Sequence, residues 1–267
     1  MIEKDKVRPY LFSELIRVGN QFDGGYVVPG KALKNCNFLL SLGINDDISF
    51  DLQFSHLKKD ICCIGVDFTV NPTFLRKRRV QAIVKSFINA LFDKRKHQIY
   101  RAKANNIKKF SKFFSGNNLF LPLEVSDNSS DGKITITELV NKCKDGSSND
   151  IFLKMDIEGA EYKVTEDIIN NVERIGYIAC EYHHIAENPI RFNETVNKLS
   201  EHFYLAHIHG NNHGAYSSEL DFPDTVELTW VNKSLVSVKP PLSKSSYPIT
   251  GLDNPCNHKE PDYNIVF

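Results

Sequence analysis

At 267 residues, 41% hydrophobic and 25% charged, the chain has the length of one large α/β domain and the composition of an ordinary globular protein. No apolar run approaches the length of a membrane span, and the start MIEKDKVRPY has no signal-peptide core, which argues against an integral membrane or secreted protein. Lys and Arg balance Asp and Glu at 33 each, yet residues 76–112 hold thirteen Lys or Arg against Asp93 alone, so that block carries +12 and the remainder −12.

Short apolar runs alternate with helix-length segments, which predicts a parallel sheet wrapped by helices. CNFLLSLGI (36–44) reads as a first buried strand, and ISFDLQFSHLKK (48–59), apolar at 50, 54 and 57, as a helix. ICCIGVDF (61–68) reads as a second strand and NLFLPLEVS (118–126) as a third. ITITELVNKC (134–143) is a short strand or turn feeding a helix. DIFLKMD (150–156), GYIACEYH (176–183) and FYLAHIH (203–209) supply the fourth to sixth strands. DTVELTWVN (224–232) is a seventh, separated from the sixth by a loop too short and too irregular for a crossover helix, which favours antiparallel pairing. The expected fold is therefore α/β, with six parallel strands and an antiparallel seventh. The six cysteines (Cys36, Cys62, Cys63, Cys143, Cys180, Cys256) show no CxxC spacing, and buried thiols in a reducing, cytoplasmic setting are expected.

One domain, 1–267, is expected, with an N-terminal lead-in segment (1–35), a basic helical insertion (72–117) and a Pro- and Ser-rich C-terminal surface segment (233–267). Within the insertion, VQAIVKSFINALF (80–92) places Val80, Ile83, Val84, Phe87, Ile88, Leu91 and Phe92 on one helical face. Three readings stand: a helical pair packed on the domain with its lysines solvated, a cap that attracts an anionic substrate, or a patch for acidic lipid. Nucleic acid is not expected as a partner, because the aromatic residues of the block lie on the apolar face rather than between the charges.

In open α/β sheets, ligands bind outside the carboxyl ends of the strands. Those ends here are unusually polar. Strand one ends in Gly43, Asn45, Asp46 and Asp47, strand two in Asp67, and strand three in Ser126 and Asp127. Strand four delivers Asp156 and Glu158, strand five Glu181 and His183, and strand six His207, His209, Asn211 and Asn212. A turn glycine followed by an acid on the next strand suits an adenosine-containing ligand, although SLGINDD is not the GxGxxG of dinucleotide sites. Side chains at i and i+2 of a strand share a face, so Asp156, Glu181, His183 and His209 are expected to converge on one pocket. Such a cluster fits a histidine general base poised near neutral pH by a carboxylate, or a divalent metal on oxygen and imidazole ligands. Glu161 is read as a first-turn helix acid, and Glu158 stands between that role and the site.

These residues carry a resemblance. LKMDIEGAEY (153–162) resembles the signature of the FkbM-type S-adenosylmethionine-dependent methyltransferases, which follow their fourth strand with Asp, Ile or Val, then Glu-Gly-Ala-Glu. RVGNQFDGGYVVP (17–29), SLGINDDISFD (41–51), GVDFT (65–69) and EVSDNSSDGKI (124–134) are similar to further segments of that family, while 70–118 has no counterpart. The resemblance implies a class I methyltransferase fold, Rossmann-like, and methyl transfer to a hydroxyl of a sugar or small natural product. Carried onto this chain, it implies that Gly43 and Asp47 line the cofactor and that Asp67 holds its ribose. It places Ser126 and Asp127 by the adenine, Asp23, Gly24, Gly25 and Tyr26 over the cofactor, and Asp156 beside the acceptor oxygen.

The reading that follows is an O-methyltransferase using S-adenosylmethionine, with Asp156, Glu181, His183 and His209 as base and orienters or as ligands of a divalent metal. Its acceptor is expected to be a small molecule or glycan, phosphorylated or nucleotide-linked on the strength of the basic block. Two alternatives remain at this stage: a metal-dependent hydrolase built on the same cluster, or a non-catalytic module that contacts a membrane peripherally through the insertion. Oligomeric state is left open.

Overall fold

The computed structural model describes residues 1–144 and 146–267. An antiparallel hairpin of β1 (Leu15–Gly19) and β2 (Gly25–Pro29) leads through α1 (Gly30–Asn35) into β3 (Phe38–Leu42). Then follow α2 (Ser49–Leu57), β4 (Cys62–Val66), the helical pair α3 (Pro72–Asn89) and α4 (Lys94–Phe113), and β5 (Leu119–Leu121). A small parallel pair, β6 (Glu124–Val125) and β7 (Lys133–Ile134), precedes α5 (Ile136–Lys142). The second half runs β8 (Ile151–Met155), α6 (Thr165–Asn170), β9 (Ile175–Tyr182), α7 (Pro189–His202) and β10 (Phe203–Gly210). It closes with the short pair β11 (Tyr216–Ser217) and β12 (Phe222–Pro223), then β13 (Val226–Asn232).

Seven of these strands form one sheet in the order β10-β13-β9-β8-β3-β4-β5. Only β13 runs antiparallel, against both β9 and β10. Six parallel strands with an antiparallel seventh is the expected architecture. The third strand is shorter than its apolar run suggested, because Pro122 has no N–H to continue the ladder and the chain turns away after Leu121.

Pleating divides the core into two layers. On β8, Ile151, Leu153 and Met155 pack on one face against α5, α6 and α7, through Leu139, Ile168, Phe192 and Leu199. Phe152 points the other way, towards Tyr26 of the hairpin and Phe50 and Phe54 of α2. Lys154 shares that second face and is nearly buried, its ammonium donating to the carbonyl of Gly43 at 3.2 Å. A third, smaller core of Ile44, Ile48, Val70 and Phe110 seats the insertion on the sheet edge.

Both insertion helices have defined starts. Asn71 accepts from the Phe74 N–H at 2.9 Å ahead of Pro72, and Asp93 accepts from the Lys96 N–H at 3.0 Å. The inward face of α3 carries small residues, Ala82 and Ser86, the latter 3.1 Å from His97 of α4. The apolar stripe found in the sequence is therefore not the packing face. It points away from the body, with Phe87, Leu91 and Phe92 exposed at 83%, 88% and 84%. The helical pair is seated on the domain, but through α4 and Asp46 rather than through this stripe: period fixes which residues share a face, not which way that face turns. No described helix is long and apolar enough to cross a membrane.

Candidate active site

A cleft of about 960 Å³ opens at the carboxyl ends of β3, β8 and β9, at the large end of the ~300–1,000 Å³ usual for small-molecule sites. Its position follows from a close approach. Gly43 ends β3 at φ +71°, and a Cβ there would lie 1.6 Å from the carbonyl oxygen of Asp156, so only glycine lets the two strand ends meet. The turn after β8 is equally tight: Glu158 at φ +54° and Gly159 at φ +98° are both left-handed. A non-glycine residue held there is strained, the kind of local conformation retained at functional sites.

That turn sorts the three acids of DIEGAE. Asp156 faces the cleft, with the Tyr26 hydroxyl 3.5 Å from one oxygen and Lys154 at 3.8 Å. Glu158 is exposed on the cleft rim. Glu161 is fully buried, and the helix start assigned to it does not exist, since α6 begins only at Thr165. Its carboxylate instead accepts from the Ile157 N–H at 3.1 Å and from the His183 ring at 3.0 Å. The spacing that put it in a first helical turn folds it under the turn, as the group that holds His183.

His183 is gripped from both sides. Nδ1 donates to Glu161, and Nε2 lies 3.1 Å from Glu181 and 3.8 Å from Asp156. Burial opposes the charge on this ring, but the hydrogen bonds to Glu161 and Glu181 outweigh it and push the pKa up to about 11. A histidine poised near neutral pH needs one carboxylate partner. This one has two, so it is an imidazolium at neutral pH with no lone pair to act as a base. Glu181, fully enclosed, is raised to about 8, chiefly by burial and opposed by its bond to His183. Asn211 donates to the same carboxylate at 3.0 Å.

His209 does not join them. In the sheet, β13 lies between β9 and β10, with Glu227 opposite both Glu181 and His209. Two strand spacings, about 10 Å, therefore separate His209 from Glu181. It is 1% exposed behind the cleft, bonded to Glu227 at 3.1 Å and to Asp262 of the C-terminal segment at 3.0 Å. Burial works against its charge and these two acids prevail, raising its pKa to about 10. Convergence of all four groups is thus corrected to three, because the seventh strand inserts between the fifth and the sixth. His207 is likewise committed, to Asp253 at 2.9 Å.

The expected cofactor residues also divide. Asp23, Gly24, Gly43 and Asp47 line the cleft, together with Asn20, whose amide donates to Asp47 at 2.7 Å. Burial first, then the charges of Glu227, Asp156 and Asp47, raise the pKa of Asp23 against the opposing pull of His213. Gly25 and Tyr26 belong to β2, and Tyr26 reaches the site only through its hydroxyl. Asp67 is not on the cleft wall: its oxygens accept from Asn45 N–H at 2.7 Å and from Thr69, holding the loop that carries Asn45. Ser126 and Asp127 bond to each other at 3.2 Å away from the cleft wall, with Asn128 on the same Asp127 oxygen.

Opposite these acids stands a basic wall from the insertion, including Arg78, Arg95, Lys96 and Lys103. Two of its cations are structural: buried Asp46 takes Arg78 at 2.7 Å and Lys103 at 3.0 Å, clamping the insertion to the β3 loop. The place of Asp46 at a strand end does not disclose this role in the sequence, since its partners lie 32 and 57 positions away. The C-terminal segment completes the rim with Cys256, Asn257, His258 and Lys259. Asp156, Glu158 and His183 have ligating atoms within 4.8 Å of one another, as do His209, Glu227 and Cys256.

No family model matches the chain, and no curated protein matches it. Among solved structures it is similar to a precorrin-6y C5,15-methyltransferase from Geobacter metallireducens, at 12% identity over 76% of this chain and 86% of that one, with a TM-score of 0.38. It is similar also to a fibrillarin pre-rRNA processing protein from Methanococcus jannaschii, at 12% identity over 75% and 68% of the two chains, TM-score 0.38. An O-methyltransferase from Bacillus cereus in complex with SAH is similar at 8% identity over 75% and 76%, TM-score 0.37. The strand order β10-β13-β9-β8-β3-β4-β5, with β13 alone reversed, is the Rossmann-like arrangement of class I methyltransferases.

Proposed function

We propose that the chain transfers a methyl group from S-adenosylmethionine to a hydroxyl of an anionic, sugar-containing acceptor, as its resemblance to FkbM-type enzymes in DIEGAE suggests. The observation that carries this reading is the polarity of the cleft, acidic on the floor and basic on the facing wall. Asp23, Asp47 and Asp156 suit a ligand bearing a sulfonium and an ammonium cation, and Gly43 leaves its backbone open to close approach. Bound there, S-adenosylmethionine supplies an electrophilic methyl group. The chain's own part is to orient the acceptor hydroxyl, exclude water and remove one proton.

Asp156 is the group assigned to that proton. Glu181 is engaged by His183 and Asn211, and His183 is already protonated. The imidazolium instead bridges Glu161, buried under the turn, and Glu181 on the cleft wall, and so holds Glu181 in place beside Asp156. Arg95 and Lys96 face the cleft free of Asp46 and suit an acceptor phosphate. Replacing both with Gln is expected to raise the acceptor KM about tenfold with kcat unchanged. An unchanged KM in steady-state assays sinks the anionic acceptor.

Calorimetric titration with S-adenosylhomocysteine, with and without a chelator, tests the cofactor. Binding in both conditions is expected, and none in either overturns the reading. Asp156 and Glu158 offer carboxylate oxygens to a divalent cation at the reacting end, and His183 joins them only by giving up the proton that Glu161 and Glu181 hold on it. Activity lost to the chelator with S-adenosylhomocysteine binding intact would assign a metal to them.

A further inference from the structure

We infer that the outer face of α3 and the corner after it form a docking surface for an anionic lipid bilayer. Val80, Ile83, Val84, Phe87 and Ile88 recur at helical spacing, all exposed, and Leu91 and Phe92 extend the ridge past the helix end. They lie opposite Ala82 and Ser86, the side that faces α4. A run of exposed large apolar side chains on this scale is foreign to a surface that meets only water.

Charge identifies what covers the ridge. At 100° per residue, Arg79 and Lys85 fall on the two flanks of the stripe, and Arg76 and Lys77 at its N-terminal end. Lys94 follows directly after the corner. An apolar stripe rimmed by cations matches the interface of an acidic bilayer, with acyl chains below and phosphates at headgroup level. A second copy of the chain is a poor match, since face-to-face pairing would set one +12 block against another. The ridge belongs to the same insertion that supplies the basic wall of the cleft, so docking there would hold the cleft beside the membrane surface.

Flotation of the full chain with vesicles of phosphatidylcholine, alone or mixed with phosphatidylglycerol, tests this surface. Wild type is expected to float with the anionic vesicles only, and less as salt rises. The triple variant Phe87→Ser, Leu91→Ser, Phe92→Ser is expected to weaken partitioning about 100-fold, with its melting temperature and S-adenosylhomocysteine affinity unchanged. Arg79→Gln with Lys85→Gln is expected to weaken it about tenfold while leaving the ridge intact. Failure of wild type to float with either vesicle overturns the proposal, as does undiminished flotation of the triple variant. So does a wild-type dimer in light scattering that the triple variant converts to monomer without vesicle binding in either form.

Discussion

Asp156→Asn is expected to slow methyl transfer about 1,000-fold while leaving S-adenosylhomocysteine affinity within a few-fold of wild type, the size of effect that follows loss of a positioned general base. The amide keeps the shape of the carboxylate and its approach to the Tyr26 hydroxyl at 3.5 Å. What it loses is the capacity to take a proton. Of the acids near His183, Asp156 and Glu158 face the cleft without close bonds, and Asp156 is the enclosed one, its side chain 27% exposed against 82%, with Lys154 and His183 each standing off at 3.8 Å. Glu161 is buried under the turn, and Glu181 is tied to His183 and Asn211.

The comparison variant is Glu181→Gln. Burial already raises the Glu181 carboxyl to about 8, so its neutral isostere resembles a state well populated near neutral pH. A loss of tenfold or less is expected in Glu181→Gln, from altered orientation of His183. Assays of both variants with labelled S-adenosylmethionine separate the roles. Activity of Asp156→Asn within tenfold of wild type, beside an inactive Glu181→Gln, would move the base from Asp156 to Glu181.

What the sequence made legible was local. Apolar runs located all seven strands of the sheet, and the short connection before DTVELTWVN disclosed that the last one is reversed. Strand order is not encoded in spacing, so the i, i+2 pattern that gives His209 and Glu181 a shared kind of face is silent on the strand β13 that lies between theirs. Glu161 departs from its local pattern for a related reason. Three residues beyond Glu158, it has the local pattern of a helix start, yet a buried histidine 22 positions on decides its conformation. Asp67 and Asp46 sit at strand ends as ligand acids do, but both are consumed by loop and insertion contacts that only the tertiary structure brings near. The apolar stripe of α3 is legible in the spacing, while its outward direction follows from a packing face made of Ala82 and Ser86.

Stability is expected to fall as pH rises from about 6.5 to 9, by roughly 1 kcal/mol per pH unit for each of His183 and His209. Their folded-state values are raised to about 11 and about 10 from an ordinary 6.5. Below about 6.5 both rings are charged whether the chain is folded or not, and the stabilisation by Glu161, Glu181, Glu227 and Asp262 is fully present. Above it the unfolded chain releases two protons that the folded chain retains, so each further step in pH favours unfolding until the folded values are passed. Glu181, raised from 4.5 to about 8, acts in the same direction over the lower part of the window. Urea denaturation at half-unit steps of pH measures the slope directly as protons bound. Above about pH 8, two are expected for wild type and about one for either His183→Gln or His209→Gln, with Glu181 adding up to one more below that pH. Glu161→Gln, which leaves His183 with a single carboxylate, is expected to bring the alkaline loss to lower pH. A wild-type stability that is flat or rising between pH 6.5 and 9 would mean that neither histidine is held as a cation, and would return His183 to candidacy as the base.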